Sequence, residues 1–257
     1  MKVIVAKGKN LVKRTFLALK ELNPKIPPNS SKILIKPNLV EPLERNSGAI
    51  TRPEIIEGII KFFGTDNFEI IIAEGSATDT LESFEKAGYF ELREKYGIKL
   101  VDLNKGNFVK VNGNFWKFEI NELAKKVDYK ISAAVLKEHS FEVTLSIKNL
   151  MGFLKPQATY PFKAYMHEEG SYEIWTSRMI DLFKAIKPNL AVIDATTAMF
   201  HSHLFGKLKE LNLTIASEDL LAADLYASTL LGKRKVYYLE KMLELNLGNL
   251  PEVKILE

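Results

Sequence analysis

The 257-residue chain predicts a doubly wound α/β fold: a mostly parallel sheet with helices on both faces and a small β-hairpin excursion. Short β-branched runs alternate with helical stretches along its whole length. Those runs are continuously apolar rather than alternating, as strands covered on both faces require. No repeat, low-complexity tract or linker interrupts the pattern, so residues 1–257 read as a single α/β domain with an irregular lid near 148–172.

The strand runs are 3–5, 33–35, 68–72, 98–101, 129–135, 190–193 and 213–216. Residues 53–63 place Ile55, Ile56, Ile59, Ile60 and Phe63 on one helical stripe, with Pro53 in the first turn and Gly64 at the stop. Residues 78–87 form a second helix, Asp79 and Glu82 having capping-box spacing and Gly88 ending it. Residues 220–231 are apolar almost all round and predict a buried helix stopped by Gly232. Within that helix, Asp224 is either a structural anchor or a group facing the site. Asn112-Gly113 marks a tight hairpin turn between two short strands. The stretch 148–172 carries Pro156, Pro161 and Gly170 and no clear period, which predicts a long, mobile lid.

Composition excludes several classes. With no cysteine there is no disulfide, thiolate zinc site, cysteine nucleophile or cysteine-ligated iron–sulfur cluster. No run approaches the ~20 apolar residues of a membrane span, and no secretory leader is legible, so a cytoplasmic protein without membrane contact is expected. The Lys/Glu-rich composition is compatible with a thermophile. The net charge is +4, and residues 1–36 hold nine Lys/Arg against the single acid Glu21. Such a segment suits an anionic partner, or it is the wet face of the first helix. It lacks the interleaved aromatics of a stacking platform, so nucleic acid is not the expected partner.

The functional reading rests on the polar residues that stand directly after the strands: Lys36-Pro37-Asn38, Glu74-Gly75-Ser76, Asp102, Lys137-Glu138-His139, Asp194, and Ser217-Glu218-Asp219. In open parallel sheets ligands bind outside the carboxyl ends of the strands. The Glu74-Gly75-Ser76 turn offers backbone N–H groups to an anion at a helix start, though it lacks the dinucleotide and P-loop glycine patterns. His139 is either an acid/base group or a hydrogen-bonded structural histidine. His201-Ser202-His203, if extended, aims both imidazoles one way; with Asp194 they are the candidate ligands of a divalent metal, a surface loop being the plainer reading. No G-x-S-x-G elbow and no H-E-x-x-H helix is present.

The chain resembles the domain-of-unknown-function 362 family. The matching blocks are 35–40 (IKPNLV), 74–89 (EGSATDTLESFEKAGY), 136–154 (LKEHSFEVTLSIKNLMGFL), His167, 181–195 with Pro188, and 217–232 (SEDLLAADLYASTLLG). The resemblance implies an α/β fold and brings in Lys36, Asn38, Lys137, His139, Lys148, Asn149, Gly152 and His167 as site residues. It implies no general activity. Many relatives carry a ferredoxin-like module, whose cluster this cysteine-free chain cannot ligate. The chain departs from the family at 199–206, where a glycine-rich stretch is expected. A fainter similarity joins Thr51-Arg52-Pro53 to the phosphate-holding turn of nickel-pincer lactate racemases, which implies a phosphate-ligating Arg52.

The expectation is therefore an enzyme or binding protein for a phosphorylated or carboxylated small molecule. Lys36, Asn38, Arg52, Gly75, Ser76, Lys137, Lys148, Asn149 and Gly152 bind it. His139, His167 and Glu74 act as acid/base or orienting groups. The cofactor is open, a divalent metal being one candidate, as is a homo-oligomeric state. The rival reading is a non-catalytic nucleic-acid or protein module using Lys9, Lys13 and Arg14 of the basic first helix. His139 and Lys148 can share a cavity only if the chain breaks between them, at 139–140 or 149–152, since nine residues of strand or helix set them on opposite sides.

Overall fold

Successive side chains of a strand point to opposite faces, and this alternation sorts the core into two layers. The computed structural model describes residues 1–140, 142–158, 161–167 and 171–257. Strand β1 (Lys2–Lys7) leads through α1 (Leu11–Leu22), β2 (Lys32–Pro37), α2 (Pro53–Phe63), β3 (Glu69–Glu74), α3 (Thr80–Lys86) and α4 (Tyr89–Tyr96) to β4 (Lys99–Asp102). The hairpin β5 (Phe108–Asn112) and β6 (Lys117–Asn121) and the short α5 (Leu123–Lys126) precede the long strand β7 (Tyr129–His139). Then come β8 (Glu142–Thr144), 3₁₀ turns at Lys148–Phe153 and Ala164–Met166, and α6 (Tyr172–Ile186). The strands β9 (Leu190–Phe200) and β10 (Lys207–Ser217), helices α7 (Leu220–Leu230) and α8 (Tyr237–Glu244), and β11 (Glu252–Leu256) complete the order.

Among the described residues, nine strands form one mixed sheet in the order β11-β1-β10-β9-β7-β2-β3-β4, with β8 folded back on β7. The run β9-β7-β2-β3-β4 is parallel throughout. Ile33, Ile35, Val192 and Ile72 pack with α1 to α4; Leu34, Ile193, Ala73 and Ala134 pack with α6 to α8. From β2 the chain winds outward through β3 and β4, then returns through β7 and β9 on the other side. The β2/β7 boundary is thus a topological switch point, where open α/β sheets leave a crevice.

The expected caps are present. Pro53 opens α2 and Gly64, at φ 80°, ends it; Asp79 accepts a 2.9 Å bond from the Glu82 amide at the start of α3. The hairpin stands where Asn112-Gly113 placed it. The last third of the chain differs from the expected parallel winding: β9 and β10 are an antiparallel pair, and β10 pairs antiparallel with β1. The apolar cores of these two long strands were legible, but not their extensions, Thr196–Phe200, which keeps Ala198 and Met199 buried, and the largely exposed Lys207–Asn212 that pairs with it. The lid expectation falls partly on residues 159–160 and 168–170, Gly170 included, which lie outside the described residues. Its start is not a loop at all but the buried 3₁₀ turn Lys148–Phe153.

Two sequence expectations meet a different fate on the α1/α2 side of the sheet. Asp194 alternates with Ile193, so it points away from the face that Lys36 shares with Leu34. Its carboxylate, fully buried, accepts bonds from the Arg52 amide (3.2 Å) and guanidinium (3.0 Å), from the Thr196 amide (3.0 Å) and from the Thr196 hydroxyl (2.5 Å). Arg14, 2% exposed, lies 3.8 Å from the same carboxylate and donates to Thr214 and Gly8 O. Arg52 and Asp194 therefore form a buried ion-pair triad with Arg14. Arg52 is not presented to the crevice as a phosphate ligand, and Asp194 has no open lone pair for a metal. Arg14 likewise leaves the basic surface of the first helix.

Removing one partner of a buried ion pair leaves an uncompensated charge, at about 3–5 kcal/mol. Asp194→Ala, which orphans two guanidiniums, is expected to lose about that much in urea denaturation. A loss under about 1 kcal/mol contradicts the triad's structural role.

Candidate functional site

The crevice at the β2/β7 switch point is a cavity of about 400 Å³. Its wall comes from the ends of three parallel strands, from the 3₁₀ turn 148–153, and from 161–167. Lys36, Asn38, Glu74, Gly75, Lys137, His139, Lys148, Asn149, Gly152 and His167 all line it, with His203 arriving from the β9–β10 loop.

Its base is a closed polar frame. Glu74 accepts from Lys36 Nζ at 2.5 Å and from the Gly75 amide at 2.7 Å through Oε1, and from the Leu39 amide at 2.7 Å through Oε2. Asn149 Oδ1 accepts from Lys36 Nζ (2.9 Å) and Asn38 Nδ2 (3.2 Å), while its Nδ2 donates to Lys36 O (3.0 Å) and Ser132 Oγ (3.1 Å). Lys36, Glu74 and Asn149 thus hold the ends of β2 and β3 and the 3₁₀ turn together, and their polar atoms face one another rather than a ligand.

The two glycines serve close approach. A Cβ on Gly152 would stand 2.1 Å from Lys36 Cε and 2.6 Å from Glu74 Oε1, and one on Gly75 only 2.2 Å from Gly152 O. The anion nest expected at Glu74-Gly75-Ser76 is closed: the Gly75 amide binds Glu74, the Ser76 amide binds Thr80 Oγ1 and the Ala77 amide binds Val40 O. Ser76 Oγ donates to Leu39 O. Gly75 and Ser76 are therefore packing and turn residues.

Above the frame the wall is cationic. His139 ends β7, the chain reverses into β8, and a turn at 145–147 launches Lys148 back into the same cavity. Asp224 holds that turn: it accepts from the Ser146 amide (2.9 Å), Ser146 Oγ (2.6 Å) and the Ile147 amide (2.9 Å), and burial raises its pKa to about 7. It is the anchor, not a group facing the site. The rings of His139 and His203 lie 4.5 Å apart and those of His139 and His167 5.3 Å. Burial together with nearby Lys148 drives the His139 pKa far below its ordinary value, and brings His167 to about 3. Burial, then Lys137 and Lys148, bring His203 to about 4.

Lys137 donates to Ala49 O at 2.6 Å; Lys163 donates to Gly75 O (2.6 Å) and Asn104 Oδ1 (2.7 Å). Burial lowers both to about 7, and Lys148 as well. Among the described residues Glu74 is the only carboxylate lining the cavity, and it is consumed by Lys36.

The expected metal pair separates. His201 has φ 70°, opens the turn between β9 and β10, and stays 80% exposed beside Glu138, while His203 folds into the cavity. The segment is not extended, so the shared face expected for its two imidazoles does not exist. Among the described residues no group of three or more His, Asp or Glu is arranged to hold a metal ion. Lys163 and Ser140 line the cavity without having been expected there, and Thr144, part of the family block between His139 and Lys148, was given no site role; Lys163 sits in the segment without periodicity. Only their presence in or beside the family blocks could have signalled them.

The fold and cavity define an α/β protein with a cationic crevice at a sheet switch point. The chain belongs to the family described as domain of unknown function (DUF362), matching it over residues 33–229. It is similar to a thylakoid-associated protein of Synechocystis sp., at 24% identity over 205 residues covering 78% of this chain. The match spans 63% of that relative's length. Among the described residues no helix is long and apolar enough to cross a membrane.

The frame leaves no room for a side chain at its crossing point. Gly152→Ala is expected to destabilise the protein by about 1–3 kcal/mol, the usual range for overpacking. Unchanged thermal stability of that variant would contradict the close approach of the 3₁₀ turn to Lys36.

Proposed function

We propose that this protein binds a small anionic molecule, carrying a carboxylate or phosphate, in the crevice between the ends of β2 and β7. The observation that carries the reading is the imbalance of charge among the described residues: Lys36, Lys137, Lys148, Lys163 and three histidines surround a cavity in which the one carboxylate described, Glu74, is already paired. Cations crowded in a low-dielectric space repel one another and shed protons. An anion placed among them reverses both effects, and charge-assisted hydrogen bonds to it are the strong kind.

The supporting geometry assigns different tasks. Lys36, Glu74 and Asn149 hold the frame; Lys137 and Lys163, tied to backbone carbonyls, supply fixed positive potential. Lys148, Thr144 and the histidines offer atoms to the ligand. His139 and His167 serve as proton carriers once an anion lifts their pKa values toward neutrality. The rival nucleic-acid reading loses Arg14 to the buried triad.

The lysines set the sign of the pH dependence. An anion binds the protonated amines, so binding raises their pKa values above about 7 and takes up protons. The association constant for sulfate, fully ionised throughout, is expected to fall as pH rises above about 4, where the empty cavity's histidines lose protons that the anion would retain. It should fall more steeply above about pH 7, where the lysines do the same, by up to about tenfold per pH unit for each proton taken up. Lys148→Ala should weaken binding by about 1.5–3 kcal/mol with the fold intact. Calorimetry that finds no binding, or an affinity indifferent to pH and to Lys148, ends this reading.

A further inference from the structure

Resting on the anion reading, we infer that Lys148 is a covalent, imine-forming lysine, and that the molecule the cavity takes is a carbonyl compound bearing an anionic group, such as a 2-oxo acid. The observation behind this is a difference among the cavity's four lysines. Lys36 is bound to Glu74, Lys137 to Ala49 O, and Lys163 to Gly75 O and Asn104. Lys148, only 8% exposed, has among the described residues neither a carboxylate within ion-pair reach nor a hydrogen-bond acceptor, yet its side chain lines the cavity. A buried ammonium with no acceptor is costly, whereas a neutral amine there is not. Burial alone holds its pKa at about 7.

A neutral, positioned amine in a desolvated pocket is the requirement for attack on a carbonyl. The surroundings supply the rest. Thr144 is 4% exposed and its Oγ1 is buried without a partner, four residues before Lys148 on the same wall. The chemistry balances without a further reagent. Lys148 Nζ adds to the carbonyl carbon, a C–N bond forms, and the amine proton passes to the carbonyl oxygen, giving a carbinolamine. Loss of its hydroxyl with the remaining N–H proton releases one water and leaves the C=N bond. Thr144 Oγ1, which lines the same cavity, is the donor for the oxygen that leaves, and Lys137 and Lys163 supply positive charge to the anionic group.

The test is reductive trapping with the full chain. The protein is treated near pH 7 with limiting glyoxylate and cyanoborohydride, and each lysine is read by peptide mass spectrometry for one added carboxymethyl group. Lys9 and Lys13 are exposed to water rather than set in the cavity, and Lys148 is expected to be labelled at least about tenfold more than either. Excess oxalate should suppress the label at Lys148, and Lys148→Arg should abolish it while labelling elsewhere is unchanged. Propanal, which has a carbonyl and no charge, separates the two claims. Preferential labelling of Lys148 by propanal and glyoxylate alike, with no protection by oxalate, keeps the imine and removes the anion reading. Lys148 labelled no more than Lys9, in a protein that still binds oxalate, overturns the imine and keeps the anion reading. Loss of both labelling and binding ends both.

Discussion

The bond between Glu74 and Lys36 is the constraint on which the rest of the site depends. Two opposite charges buried together are tolerable only when their remaining protons and oxygens find partners, and here all three ammonium protons and both carboxylate oxygens do. Glu74 takes Lys36, the Gly75 amide and the Leu39 amide; Lys36 also meets Asn149 and Pro37 O. Because those donors belong to the ends of β2 and β3 and to the 3₁₀ turn after β8, the pair fixes three separate segments at one point. It requires glycine at 75 and 152 so that the backbones can come together. It also spends Glu74, the one carboxylate among the described residues that line the cavity.

That consequence sets the chemistry. The fold packs three imidazoles together near Lys148 and Lys137, and burial lowers the pKa of each. Such a cavity is poised: empty, its lysines are only partly protonated, and around an anion they are fully so. The topology explains why the cavity lies where it does. At the β2/β7 boundary the connections depart in opposite directions, and among the described residues the turn 148–153, the segment 161–167 and His203 line the cavity over the strand ends.

Much of the frame was legible because its signals are local. Apolar runs gave the parallel strands, and Pro53, Gly64, Asp79 and Gly232 marked helix ends. The polar residues just past those strands located the crevice edge. What the strand ends do not reveal is the face. Asp194 and Lys36 both stand after apolar runs, yet alternation sends one toward α1 and α2 and the other toward the cavity, so Asp194 and Arg52 form a structural triad instead of a site. Nor does spacing reveal what a polar group will meet. Gly75 and Ser76 carry the pattern of an anion-binding turn, but their amides are taken by Glu74 and Thr80. His201 and His203 carry metal-ligand spacing, but a left-handed residue at 201 splits them. Lys163 and the role of Asp224 depend on contacts about 60 to 90 residues apart in sequence, which no local pattern contains.

The most direct test of the central claim, a cationic cavity that takes an anion beside Lys148, is crystallographic. Crystals are grown without phosphate or sulfate and soaked in selenate, whose selenium is located by anomalous scattering. The account predicts a peak inside the cavity with selenate oxygens within hydrogen-bond distance of Lys148 Nζ, and the Lys36–Glu74 pair intact beneath it. Selenate found only on exposed lysines, with the cavity holding none at a concentration that saturates those surface sites, would contradict it.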